Sequence, residues 1–407
     1  MTEVNLAGLP LGEKNFAQII SSGRIYVDKT DLIAELVSNY LAVFFFRPSG
    51  FGKTTLVNTL HELFAHGMQS FRGLKIEKQG LWTEQKYKVL HLDFANLTDS
   101  LDIKAFTRDF AQNLKDELTA NGIDDEIDLD NPIRSLNPIL QQQQSKSLVL
   151  LIDNYDRPLS AVIADLEAFN LRQNLINRFF ALLKRRYKAF RFIFVTGSIK
   201  FGNSGIYSAA NNMIDISLMG RYGTLAGFTR QELDLYFKDY ITNAAQVLSA
   251  LNPKQALGNA ELAGKMWEHY GGYTCDWLGS GKLYHPYSVL KFLSHPEEGF
   301  KSYLREAESA APAALIEYLK HLRADFMAKC RADGDLNLAR EITLYSSDLT
   351  SYVDPQINGA PARQLVLLQS GLLTIKAGQD ADGLVPLGIP NAQARAVFCE
   401  DNEAPAL

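Results

Sequence analysis

Residues Arg47 to Thr55 read RPSGFGKTT, between a continuously apolar run, Leu41 to Phe46, and a segment of helical spacing that starts at Thr54. Strand before and helix after make a glycine-rich turn an anion site rather than an ordinary connection. Gly50 and Gly52 let the backbone curl without a Cβ clash, so successive N–H groups converge. The following helix adds about half a positive charge at its N-terminus. Lys53 is spaced to reach β- and γ-phosphate oxygens, and the Thr54 hydroxyl to ligate Mg²⁺. The expected nucleotide contacts are therefore Arg47, Pro48, Ser49, Gly50, Phe51, Gly52, Lys53, Thr54 and Thr55. Arg47 stands where the GxxxxGK[ST] pattern has its first glycine.

A second apolar run, Ser147 to Ile152, ends in Asp153 within SLVLLIDNYDRP. A carboxylate there is the expected partner of a phosphate loop, holding Mg²⁺ through water. ATPases of this kind place a glutamate next, to deprotonate the attacking water. The next residue here is Asn154, which cannot act as a base. Asp156 is a nearby substitute, and Asp93 closes the apolar run Lys88 to Phe94. The competing reading of these carboxylates is a strand-end cap. The run Phe194 to Asn212 offers Thr196 and Ser198 as hydroxyls near a terminal phosphate, followed by Lys200, Asn211 and Asn212 in a polar loop. Arg47, Arg157 and Arg221 are candidates for an arginine that offsets developing charge.

These residues need a frame. Apolar runs at 41–46, 88–94, 147–152 and 192–196 read as strands, and the segments between them carry helical periodicity at 26–37, 54–66, 103–120 and 176–186. Continuously apolar strands separated by helices predict a parallel sheet covered on both faces. The acidic, proline-bearing stretch 122–137 reads as a surface loop, and Gln141 to Gln144 as a solvated helix face. Beyond residue 228 strand signals fade, and helices are expected over 231–250, 253–269 and 312–333. Residues 364–376 and 383–388 read as a helix running into a short hairpin, which suggests a winged-helix-like module. The expected division is a P-loop core at 1–228, a helical lid at 229–334 and the small module at 335–407.

Composition bounds the function. The 407 residues carry 41 Lys and Arg against 46 Asp and Glu, a net charge of −5. Bulk attraction to nucleic acid is excluded, although a local basic patch is not. The three cysteines, Cys275, Cys330 and Cys399, are too few and too scattered for a disulfide framework or zinc ribbon. They fit a reducing compartment. The histidines have no partners at metal-ligand spacing. No basic-then-apolar leader opens the chain, and no run approaches the ~20 apolar residues of a membrane span. The expected location is cytoplasmic, with no membrane partner.

The ordered motifs resemble the bacterial AAA-ATPase-like family of P-loop proteins, close to the STAND-type ATPases. The resemblance opens with LPLGEKNFAQIISSGRIYVDKTDLI (Leu9 to Ile33) and continues through FRPSGFGKTTL, HLDF, LLIDNYDRPL, VTGSIKF, SAANN and GFTRQEL. YGGYTC, LYHPYSVLKFL, LLQSGLLTIK and LGIPN carry it almost to the end. The family's loop also begins with Arg-Pro, so Arg47 conforms. The resemblance implies ATP as the nucleotide, with base and ribose against the YVDKT segment and the helical region, and ATP and ADP favouring different domain orientations. Three departures stand out. IDNYD replaces IDEYD, YHP (Tyr284 to Pro286) replaces YNP, and the PD-(D/E)XK nuclease-like domain often found in the family has no room, since 16 residues follow Asn391.

Three functions follow. The first is a Mg²⁺-dependent ATPase acting as a conformational switch. The second is an ATP-binding scaffold with little turnover, because Asn154 replaces the catalytic acid. The third is a nucleic-acid-processing ATPase working with a separate nuclease, a partner the acidic balance does not favour. A switch of this kind would act on a protein partner or a second copy of the chain.

Overall fold

Each apolar run becomes a strand buried on both sides. In the computed structural model these are β1 (Ala42–Phe46), β2 (Lys88–Asp93), β3 (Leu148–Asp153) and β4 (Phe190–Gly197). The structure describes residues 4–201, 213–309, 311–332, 342–349, 351, 353–354 and 360–400. A two-residue strand, β5 (Ile214–Asp215), closes the far edge. The sheet has five strands in the order β2-β3-β4-β1-β5, all parallel. Register sets Asp93 beside Asp153 and Phe46 beside Gly197. One edge of the sheet therefore gathers the ends of β1 to β4, where open α/β sheets bind ligands.

Alternation along β1 explains why both faces are covered. Val43 and Phe45 pack with helices Thr30–Asn39 and Lys53–His66, while Phe44 and Phe46 pack with Ile103–Ala120, Pro132–Gln142 and Leu166–Arg185. The α/β P-loop core is followed by a helical region. Helices Arg230–Tyr236, Lys238–Leu251, Asn259–Tyr270 and Pro286–Ser294 share a separate core that includes Leu9. Near the C-terminus, β6 (Ile342–Tyr345), β7 (Thr374–Ile375) and β8 (Leu384–Gly388) form an antiparallel sheet in the order β6-β8-β7. Leu365, Leu373 and Phe398 from this region complete the first core. Among the described residues no helix is long and apolar enough to cross a membrane.

Several expected boundaries move. Residues 26–29 are not helical, because the Asp28 carboxylate accepts the Thr30 N–H at 3.0 Å and starts the helix there. The stretch read as a loop to residue 137 contains helix Pro132–Gln142. Pro132 suits the first turn, and Ile133, Leu136, Ile139 and Leu140 bury one face. The helix expected from 176 starts at Leu166, where Asp165 accepts the Ala168 N–H at 3.0 Å. Asn211 and Asn212, and the SAANN run, lie outside the described residues.

Candidate functional site

Gly50 and Gly52 adopt φ of +77° and +91°, the left-handed region that suits glycine. Gly52 immediately precedes helix Lys53–His66, whose first turn has no side-chain cap. Its orphan N–H groups are available to an anion. Residues 49–56 line a cleft of about 310 Å³. The opposite walls are residues 10–14 and 25–27, Lys29, residues 225–228, and Pro286, Tyr287 and Leu290. Leu11, Val27 and Phe228 give these walls an apolar surface of the kind a purine ring packs against.

Lys53 is nearly buried, and its Nζ donates to the carbonyls of Arg47 (2.7 Å) and Pro48 (2.9 Å) and meets Ser198 Oγ at 3.0 Å. Burial lowers its pKa to about 8, against the pull of Asp156 and Asp153. Asp153 is fully buried at the end of β3. Its Oδ1 accepts the Asn154 N–H at 2.9 Å, and its Oδ2 has no hydrogen-bond partner. Burial pushes this carboxyl up to about 6, opposed by the Thr54 hydroxyl and by Lys53. An orphaned carboxylate oxygen near a hydroxyl and a helix N-terminus fits a hard divalent cation. Thr54 and Asp153 are the residues that would hold Mg²⁺.

The other carboxylates sit differently. Asp156 is buried, with Oδ1 accepting the Ser198 N–H (3.1 Å) and Oδ2 the Ile199 N–H (2.9 Å). It therefore fixes the chain leaving β4, and it does not line the cleft. Asp93 is half-buried, and its Oδ1 accepts the Ala95 N–H and the Asn154 Nδ2–H, each at 2.9 Å. Asn154 does line the cleft, at φ +54°, a conformation asparagine tolerates better than most residues. The acid lining the cleft is Glu13, whose Oε1 accepts the N–H groups of Lys14 (2.9 Å) and Asn15 (2.8 Å).

Arg47 departs from its expected role as a nucleotide contact. Its buried guanidinium donates to the carbonyls of Phe46, Ser217, Tyr222 and Gly223, and it lies 4.4 Å over the Phe45 ring. With Pro48 it borders a separate cavity of about 110 Å³ behind the loop. Arg157 pairs with Asp99 at 3.0 Å and Arg221 with Glu35, so the three candidate arginines are engaged elsewhere. Thr196 is also internal, its hydroxyl donating to the Phe45 carbonyl at 2.6 Å. Ser198, just past the end of this strand, is the hydroxyl that reaches the cleft from there.

Two supports escaped the motif reading. His285 is buried against the loop, with Nε2 2.9 Å from the Ser49 carbonyl. The Ser288 N–H donates to its Nδ1, which fixes the neutral tautomer that donates from Nε2. Burial pushes the ring's pKa down to about 4. Lys29 and Glu232 form an ion pair at 2.7 Å that joins two cleft walls. The signals were present, in an N-cap His-Pro at 285–286 and a Thr-x-x-Glu capping box at 229–232, but neither announces what it touches.

Residues 10–207 match the family model described as predicted AAA-ATPase, AAA-ATPase-like. A protein of Azotobacter chroococcum mcd 1, described as an uncharacterized protein in the vnfD 5' region, is 29% identical over 400 residues. That similarity covers 96% of this chain and 69% of the relative.

Proposed function

We propose, from the match of residues 10–207 to the AAA-ATPase-like family model, that the chain is a Mg²⁺-dependent ATPase that works as a conformational switch. One observation carries the reading. Lys53 Nζ is held on carbonyls of its own loop beside an uncapped helix N-terminus, where a triphosphate would replace them. Mg²⁺ would supply neutralisation of the triphosphate charge, held by Thr54 and Asp153. The cleft walls from the N-terminal segment and the helical region would take the base and ribose. Binding would then bridge the core (1–228) and a lid-like helical region (229–334), and loss of the γ-phosphate would loosen that bridge.

A second reading, ATP held with little turnover, is favoured by Asn154. It faces the cleft where a base is needed, while Asp156 and Asp93 are occupied by backbone and amide donors. Steady-state phosphate release with Mg²⁺-ATP, beside nucleotide affinity, separates the two. Turnover that disappears in Lys53→Ala supports the switch ATPase. Tight wild-type binding without release supports the scaffold. Neither binding nor release overturns both.

A further inference from the structure

Residues 131–152 and 168–214 contain no Asp or Glu, in a chain with 46 acids among 407 residues. The two stretches meet on the sheet face opposite Lys53–His66, where Pro132–Gln142 packs beside Leu166–Arg185. Between these helices Arg134, Asn137, Arg178 and Arg185 line a groove of about 270 Å³. The three arginines are exposed, and none has an ion-pair partner among the described residues. Asp130, which borders an adjoining groove with Arg178, is paired with Arg108 at 2.8 Å. Arg178 and Arg185 are two helical turns apart, about 10 Å along the axis. Arg186 donates to Asn137 Oδ1 and Gln141 Oε1, so amides and guanidinium groups share the surface. Tyr187, two residues beyond Arg185 in the chain, is half exposed.

We propose that this groove binds the phosphodiester backbone of nucleic acid, with Arg134, Arg178 and Arg185 as its phosphate contacts. Guanidinium forks match phosphate oxygens, and the interleaved amides add donors for phosphate and sugar. Tyr187, half exposed just past the end of the helix that carries Arg178 and Arg185, offers a face on which a base stacks. A protein partner would be expected to find an apolar anchor at the centre of the patch. Here Ile133, which lines the groove with the arginines, is buried. The net acidic charge of the rest of the chain opposes long-range attraction, so binding is local and salt-sensitive.

The test is fluorescence anisotropy of the full chain with a labelled duplex and a labelled single strand of ~30 nucleotides, at 50 to 200 mM salt. Three phosphate contacts predict a log–log salt slope near −2.7 on the duplex, a loss of about 40-fold over that range. Arg178→Ala should remove about one unit of slope, and the triple alanine variant nearly all of it, with ATP affinity unchanged. Lys301→Ala with Lys320→Ala, which removes exposed lysines elsewhere, should leave nucleic-acid binding as it was. A preference between duplex and single strand identifies the form recognised. No binding to either strand form at 50 mM salt overturns the proposal, as does equal binding by the triple variant. Tighter binding of polyglutamate than of the duplex also overturns it, in favour of an acidic protein.

Discussion

Lys53 gives the site a pH signature. Its folded pKa is about 8, against the ordinary 10.5, because burial disfavours the ammonium. A triphosphate would restore the charged form, so binding takes up a proton once the free protein has lost one. ATP affinity should therefore be flat below pH 8 and fall above it, approaching tenfold per unit. Lys53→Arg, which stays charged, should flatten that fall, as nucleotide titrations from pH 7 to 9.5 would read. Asp153 carries the opposite sign. Its folded pKa near 6 lies above its ordinary 3.8, so the ionised carboxylate destabilises the free protein above pH 6. Two units correspond to about 3 kcal/mol. As pH falls through 6 the folded state takes the proton and that cost fades, disappearing toward pH 4. Asp153→Asn should raise the apparent Tm by a few degrees at pH 7.5 and by less at pH 5, and should abolish the Mg²⁺ dependence of ATP binding. A variant no more stable at pH 7.5 would mean that the carboxylate is compensated in the free protein. Lys53, Thr54 and Asp153 stood out as candidates in the sequence because each sits at a fixed offset from a strand end. The engagement of Arg47 was not, because its four carbonyl partners include three near residue 220, far along the chain.

At the scale of elements, the loop is shaped from outside as well as by its glycines. A Cβ on Gly50 would lie 2.5 Å from His285 Cε1, at a φ that already disfavours side chains. Gly50→Ala should therefore weaken ATP binding by at least tenfold, combining a clash with a backbone cost of about 1 kcal/mol. His285→Ala removes one hydrogen bond to the Ser49 carbonyl, worth about 1 kcal/mol, or roughly fivefold. The double variant separates these causes. If the clash dominates, Gly50→Ala with His285→Ala should bind better than Gly50→Ala alone, and an equal or weaker affinity would assign the loss to backbone strain. The strands that carry the loop could be read directly, since unbroken apolar runs have few alternatives. The YVDKT segment could not. Its spacing looks helical, yet Asp28 accepts from Thr30 and from the Lys75 N–H, and the Thr30 hydroxyl accepts the Ile76 N–H. The segment is a buckle between two helices, and buckles have no period. Pro132–Gln142 was missed for the converse reason, because its two prolines read as breakers although one opens the helix and the other is tolerated on its exposed face.

For the molecule as a whole, the question is how a change at the phosphates reaches the helical region. The contacts are direct. The Gly227 N–H donates to the Phe51 carbonyl and the Tyr287 N–H to the Gly50 carbonyl, both at 3.2 Å. A loop that shifts to admit a γ-phosphate must therefore move both segments or break those bonds. The Lys29–Glu232 pair adds a third tie, and burial lowers the Lys29 pKa while Glu232 opposes that fall. Glu232→Gln keeps a side chain able to complete the capping box with Thr229 but leaves Lys29 without its counter-charge. The helical region should then be held less firmly in the nucleotide-free state. Dyes on Leu101→Cys and Leu235→Cys, both exposed, with Cys399→Ser to remove the exposed native thiol, would report the separation of core and helical region. The expected result is distinct transfer efficiencies with Mg²⁺-ATP and Mg²⁺-ADP, and a broader nucleotide-free distribution in Glu232→Gln than in the parent. Identical efficiencies in all three states would make the cleft a rigid holder. Nucleotide would then stabilise the chain without changing its shape, and the switch would have to lie in what binds elsewhere.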